Sequence, residues 1–459
     1  MNRPEKLAGL EGSVSWRGDR DYEPTRRSML WNAWTPARLP ELIVRAASVQ
    51  DVAAAVAFAR SRELKIAVRG SGHSWCGSPL REGGLLLDLS QLRELSIDPV
   101  SRTATVQPGV TSRELTSALA AHELAFPVGH CGHVGVSGFL LSGGLGWNYG
   151  VWGPACLSVT GVEAVTADGQ LTRADERQNA DLFWAARGAG PGLCVVATQF
   201  DLKLYSMPKA ITSVIYVYAL DDVEGIASWA LEARATLPPA VELALLLAPP
   251  PPEVAARPGE RVVILAGTAF VDSPDEASRM LAPLEGCPAR VRCLTRQVNR
   301  AIPFEALYEG EDAAWPEGHR YAADNLWLNA GLDELLATLG AEIAHAPSAK
   351  SLVLVVLPPA PHEDTELPDM AFSMLGRGLV DCYSVWEDEV DDEANIGWLR
   401  DAMKTLAPFA VGHYVAETDL LADSSRAARS FSPAAWKRLT SLRQRLDPQG
   451  LFHSYLGEE

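Results

Sequence analysis

The sequence predicts an α+β protein of two domains, and three observations carry that prediction. At 459 residues the chain is long for a single hydrophobic core, so two domains are the default expectation. Its first 205 residues alternate helical and strand patterns. From Ala210 onward the strand patterns lengthen and helical stretches intervene, which reads as an antiparallel sheet backed by helices.

Taken in chain order, Ser48–Leu64 reads as a helix. Ser48 is a good N-cap, Asp51 gives a capping-box-like start, and Val52, Ala55, Val56 and Ala59 follow at helical spacing. Lys65–Arg69 is a short buried strand that ends at Gly70, and Leu85–Leu89 is another. Leu95–Ile97 and Thr103–Gln107 flank a turn containing Pro99 and form a hairpin. Thr111 with Glu114 opens a second helix whose apolar face carries Leu115 and Leu119. Val159–Thr166 and Gln170–Arg173 flank Asp168–Gly169, a hairpin turn, and Leu193–Leu204 is a long strand. Beyond Met207–Pro208 the predicted strands are Ile211–Leu220, Val241–Ala248, Arg261–Phe270, Ser351–Leu357 and Leu379–Trp386. Helices are predicted near Val223–Ala235, Pro274–Leu284 and Leu332–Ala344, with Pro249–Pro252 as a loop between strands. Ser432 caps and Pro433 opens a last helix that stops before Asp447–Pro448.

Bulk composition narrows the function classes. A formal net charge of −18 argues against nucleic acid or an anionic membrane surface as partner, because both need basic patches. The sequence holds no unbroken apolar run long enough to span a bilayer, and its first residues lack the hydrophobic stretch of a secretory signal. Seven cysteines at irregular spacing do not form a disulfide framework, which makes a reducing cytoplasm the expected location.

Two short stretches hold the reactive side chains. Arg69–Ser74 (RGSGHS) is a glycine-rich turn after a strand, where backbone N–H groups can converge on an anion and Gly70 and Gly72 allow conformations that a Cβ would block. It is not the dinucleotide fingerprint, since Trp75 stands where GxGxxG needs glycine, and it lacks the Gly-Lys-Ser/Thr ending of a phosphate-binding Walker loop. On this segment alone His73 reads first as a polar turn residue. Gly129–Gly135 (GHCGHVG) places His130, Cys131 and His133 within four residues. That spacing is too tight for a tetrahedral zinc site, and no second CxxC or HxxxH supplies the missing ligands, so no metal is expected. Without a recognisable flanking signature Cys131 does not read as a hydrolase-type nucleophile, and on this stretch alone it is an inert buried thiol in a glycine-rich turn. The glycines of Val136–Gly150 imply a backbone pressed against something flat or bulky, or tight helix packing.

Jointly these stretches resemble the berberine-bridge-enzyme-like oxidases, within the vanillyl-alcohol-oxidase-like flavoproteins with a PCMH-type FAD-binding domain. The resemblance runs over most of residues 30–205 and resumes at about 380–456. Further marks are Leu87–Ser90 (LDLS), Gln107–Val110 (QPGV), Gly143–Trp147 (GGLGW), Val162–Gly169 (VEAVTADG) and Ala180–Gly188 (ADLFWAARG). The resemblance implies that Arg69, Gly70, Ser71, Gly72, His73 and Ser74 hold the FAD pyrophosphate, with His73 bonded to the flavin 8α-methyl. It implies that Cys131 bonds flavin C6, so that FAD is attached at two points. Gly129, His130, Val134, Gly135, Gly138, Gly143, Val162 and Tyr455 are the remaining implied cofactor contacts, Val134 at the place where the family admits dioxygen. An imidazole and a thiolate are both nucleophiles that can add to an oxidised flavin.

Near the end the match departs. The family pattern Tyr-x-Asn-Tyr-x-Asp is replaced here by Tyr414-Val415-Ala416-Glu417-Thr418-Asp419, with Glu417 in place of the second tyrosine. A carboxylate can take a proton from an alcohol or amine if burial tunes its pKa, so Glu417 is the candidate base and Tyr414 a substrate-side hydrogen-bond donor or a core residue. The segment from Trp147 to Leu157 is also shorter than the usual family version. Asp324, Asn325, Trp327, Tyr383 and Trp386 lie on strand-like segments and either line a cleft over the flavin or belong to the sheet. The expectation is a flavoprotein oxidase: residues 1–205 and 415–459 bind FAD, and 206–414 form the substrate domain. A small alcohol or amine, such as a sugar, a heterocycle or a secondary metabolite, loses hydride, and dioxygen is the acceptor. The alternatives are a dehydrogenase with another acceptor and a flavin-binding protein without turnover.

Overall fold

The computed structural model describes residues 7, 9–254, 259–359 and 367–457. Its architecture is α+β. A four-stranded sheet orders Ser13–Trp16, Leu42–Arg45, Leu85–Asp88 and Ile66–Arg69, the first pair antiparallel and the others parallel. Leu85–Asp88 is buried along its whole length, as expected of a strand with parallel neighbours on both sides. The helix Val49–Ser61 turns Val52, Ala55, Val56 and Ala59 into the core over this sheet.

A five-stranded antiparallel sheet follows: Leu95–Asp98, Thr103–Val106, Val196–Lys203, Val159–Val165 and Leu171–Ala174. The helix Ser112–Ala120 opens with the capping box that Thr111 and Glu114 predict. Ser48 caps its helix as expected by accepting from the Asp51 N–H. Asp51 does not reach back to complete the box. Its buried carboxylate accepts from the N–H groups of Glu11, Gly12 and Ala47, tying the start of the first strand to the helix. The predicted strand from Leu193 begins at Val196, because Gly190–Gly192 forms a 3-10 turn and the chain extends into the sheet only after it.

The third layer is a seven-stranded antiparallel sheet: Thr295–Ala301, Ala210–Ala219, Val262–Val271, Val241–Ala248, Leu352–Leu357, Gly378–Trp386 and Arg320–Leu328. Strand alternation gives this sheet two unlike faces. Val241, Leu243, Leu245 and Leu247 pack with the helices Val223–Thr236, Leu332–Ile343 and Asp392–Leu406. Glu242, Ala244 and Leu246 point the other way and line a cavity. The strand Thr295–Ala301 had no signal in the sequence because it is an edge strand whose residues are almost all exposed, so no apolar alternation marks it. Among the described residues no helix is long and apolar enough to cross a membrane.

Candidate active site

The strand Ile66–Arg69 delivers the turn Arg69–Ser74 to one wall of a cavity of about 560 Å³. Asp88, fully buried at the end of the neighbouring strand, pairs with Arg69 at 2.7 Å and Arg45 at 2.8 Å. Burial opposes its ionisation, but the two guanidiniums outweigh burial and hold the carboxyl below its usual range. The Arg69 guanidinium also donates to the carbonyls of Met29 and Ser71, so it shapes the turn from behind. Gly72 has φ +78° and a Cβ there would meet the Met29 carbonyl oxygen at 2.1 Å. This is why the turn needs glycine.

The second loop closes against the first. The Gly135 N–H donates to Ser71 Oγ at 2.9 Å, and Gly135 then opens the short helix Val136–Leu141. His73 and Cys131 line the same cavity. The His73 ring stacks on Trp31 with centroids 4.5 Å apart and meets the edge of Trp75. Burial pulls its pKa down to about 4, and its Nε2 is buried without a hydrogen-bond partner. A neutral imidazole is the form able to act as a nucleophile. Burial likewise holds His130 at about 4. Among the described residues none of the seven cysteines forms a disulfide, and no cluster of metal-ligating side chains occurs.

The far wall belongs to the seven-stranded sheet and to the segment 414–418. Tyr383, on the strand Gly378–Trp386, donates its hydroxyl hydrogen to Glu417 Oε2 at 2.7 Å. Burial raises the Glu417 pKa, and the hydrogen bonds from Tyr383 and Trp75 oppose that rise in part. Tyr414 is buried on the same wall and its hydroxyl oxygen accepts from the Gly144 N–H at 3.3 Å. Burial, then the nearby Glu417, keep its phenol protonated. Asn325 grips the Tyr414 backbone with two hydrogen bonds, its amide donating at 2.9 Å and its carbonyl accepting at 2.7 Å. Asp324 accepts from Thr418 Oγ1 and the Asp419 N–H, both at 3.0 Å, and pairs with the Arg426 guanidinium. The acid-bearing segment is thus clamped by the dipeptide Asp324–Asn325 of the strand Arg320–Leu328.

Comparison with known proteins agrees with this arrangement. A family model described as "FAD binding domain" matches residues 40–175. The FAD-linked oxidoreductase nodO of Hypoxylon pulicicidum is 31% identical over 95% of this chain and 95% of its own. The chain belongs to the FAD-linked oxidoreductases. The fold is shared with 6-hydroxy-D-nicotine oxidase from Arthrobacter nicotinovorans, at TM-score 0.84 and 21% identity over 99% of this chain and 100% of that one. It is shared too with glucooligosaccharide oxidase from Acremonium strictum, which carries a 6-S-cysteinyl, 8α-N1-histidyl FAD, at TM-score 0.82 and 18% identity over 98% and 97% of the two chains.

The oxidoreductase's own residues fit FAD. The cavity lies within the size range of cofactor sites. The orphaned His73 nitrogen is one mark. Gly138 is another: it lines the cavity, and a Cβ built there meets nothing within 4 Å. Gly70, Ser71, Gly72, Ser74, Gly129, His130, Val134 and Gly135 all line that cavity, as do Tyr414 and Glu417.

Three sequence candidates fall elsewhere. Gly143 is pressed against the Phe372 ring, Val162 is a core residue of the five-stranded sheet, and the Tyr455 hydroxyl donates to the Ala189 carbonyl at 2.6 Å to anchor the tail. Of the strand residues considered for a cleft, Trp327 and Tyr383 line the cavity. Asp324 and Asn325 support the segment behind it, and Trp386 donates to Asp392 at 2.7 Å. Sequence reasoning missed Asp381, which also lines the cavity. Its signal was a lone acid inside an apolar strand, LVDCYSVW, where a carboxyl is rarely fully buried.

Proposed function

We propose that this FAD-linked oxidoreductase is an oxidase that removes hydride from a C–H beside an alcohol or amine of a small molecule, with dioxygen as the final acceptor and its flavin tethered through His73 and Cys131. Bound FAD supplies the two-electron acceptor. Glu417 takes the O–H or N–H proton, and Tyr383 holds the carboxylate by the hydrogen bond it donates. Tyr414 stays protonated and offers its hydroxyl to the substrate, while Trp75, Trp315 and Trp327 exclude water from the reacting centre. The observation that carries this reading is the 2.7 Å Tyr383–Glu417 pair in the same cavity as His73 and Cys131. The doubly attached flavin named for glucooligosaccharide oxidase supports the tethers. We assign residues 1–205 and 415–459 to FAD binding and 206–414 to substrate binding. The Arg69–Ser74 turn on one wall and the seven-stranded sheet on the other support that division.

The denatured protein should keep its yellow colour on a gel. His73→Ala and Cys131→Ala should each retain flavin through the other bond, and the double variant should lose it on denaturation. Release of free FAD from the unmodified protein would refute both tethers. Hydrogen peroxide should appear in step with substrate oxidation in air, and its absence after flavin reduction would make the protein a dehydrogenase instead.

A further inference from the structure

Asp381 lies in the middle of the strand Gly378–Trp386, paired across to Asn325 on one side and Leu354 on the other. Its neighbour Cys382 packs into the helix-backed core, and the alternating residues Asp381 and Tyr383 line the cavity. Asp381 is only 3% exposed, yet its Oδ1 has no hydrogen-bond partner. A buried carboxyl oxygen left unmatched is costly to a fold, and such a group is commonly matched by a ligand.

The surroundings say what kind of ligand. Glu417 is close enough for its charge to act on Asp381. The two arginines among the lining residues are already engaged: Arg69 with Asp88 and two carbonyls, Arg81 with the carbonyls of Ser78 and Ser454. The wall beside the two acids is aromatic. Trp315 and Tyr383 have ring centroids 4.3 Å apart, and Trp75 lies 5.2 Å from Tyr383 and 5.9 Å from Trp315. Aromatic faces attract desolvated cations. The sheet floor is aliphatic, with Leu246, Leu352 and Leu354, which suits an apolar body better than a polyhydroxylated one.

We propose that the substrate is an apolar amine that enters as an ammonium ion, is held by Asp381, and gives its N–H proton to Glu417. The proposal deepens the oxidase reading and rests on it. Burial first, then Glu417 and Asp324, push the Asp381 carboxyl well above the ordinary range, and burial raises Glu417 as well. Asp324 has its own counter-ion in Arg426, and Tyr383 and Tyr414 stay neutral. One proton shared between Asp381 and Glu417 therefore leaves a single negative charge to match a single ammonium. In the reaction the ammonium N–H breaks and its proton moves to Glu417. The adjacent C–H then breaks with both electrons, as hydride to the flavin that the family's chemistry supplies. The substrate leaves as an iminium ion, two electrons and two hydrogens poorer than the ammonium that entered, one hydrogen as hydride and one as the proton on Glu417.

The test is an anaerobic titration of the flavin-loaded protein at pH 7 with 2-phenylpyrrolidine, a cation at that pH, and with uncharged 2-phenylcyclopentanol, read by tryptophan fluorescence quenching. The amine should bind at least about tenfold more tightly, and Asp381→Asn combined with Glu417→Gln, which removes the shared charge, should abolish that preference. Equal affinities, tighter binding of the alcohol, or no binding of either overturns the proposal. So does a protein carrying both substitutions that keeps the preference. The comparison in the unmodified protein stands whether or not the variant folds. If the alcohol binds more tightly and bleaches the flavin, the oxidase reading survives and the amine proposal fails. If no alcohol or amine bleaches the flavin, the oxidase reading itself fails.

Discussion

Burial lifts the Glu417 carboxyl above the ordinary glutamate value of 4.5, and only its ionised form can accept a proton. The rate of flavin reduction should therefore rise with pH through an apparent pKa above that value and fall away on the acid side. Glu417→Gln should remove that acid limb and slow reduction by on the order of 10²-fold. Tyr383→Phe provides the complementary check. Losing the 2.7 Å hydrogen bond to the carboxylate should move the limb to higher pH, because a donor to the charged form favours ionisation. Single-turnover reduction in rapid mixing measures both. Glu417 was readable as a base from its place in the final segment, and Tyr383 as a cleft or sheet residue, but their pairing was not readable, because the two lie 34 positions apart.

Elements hold these groups in place, and their glycines differ in what they serve. Gly72→Ala forces a Cβ into the Met29 carbonyl at positive φ and should destabilise the fold by about 2 kcal/mol or more. Gly138→Val adds its side chain on the helix Val136–Leu141 where only the cavity lies, so the flavin-free protein should melt within a few degrees of the parent. The variant should nonetheless purify colourless, and visible absorbance against thermal melting separates the two effects. Asn325→Ala removes both hydrogen bonds to the Tyr414 backbone and should cost about 2–4 kcal/mol, with flavin reduction slowed as Tyr414 and Glu417 lose their register. Helix caps were legible because they are local, as Thr111 with Glu114 proved. The exposed edge strand Thr295–Ala301 was not, since nothing in it is buried enough to leave a pattern.

The whole molecule carries a stability cost at its site. The folded-state pKa of Asp381 lies well above its unfolded value of 3.8, so Asp381 favours the fold in acid, and that advantage is lost as pH rises from the unfolded towards the folded pKa. Asp381→Asn should thus raise the melting temperature at neutral and alkaline pH, and the gain should shrink as pH falls towards 4, as calorimetry across that range would show. The family was legible as a resemblance carried by its ordered motifs, and the glycine-rich turn and loop and most strands and helices follow from short-range chemistry: glycine where φ is positive, caps within three residues, and apolar periodicity. His73 and Cys131 were picked out that way, and both line one cavity. The meeting of Asp381, Tyr383 and Glu417 was not encoded locally. It depends on which sheet face a strand turns to the cavity and on the Asp324–Asn325 clamp that brings segment 414–418 over it. Burial and like-charge proximity, the forces that shift these carboxyls, exist only once that packing has formed.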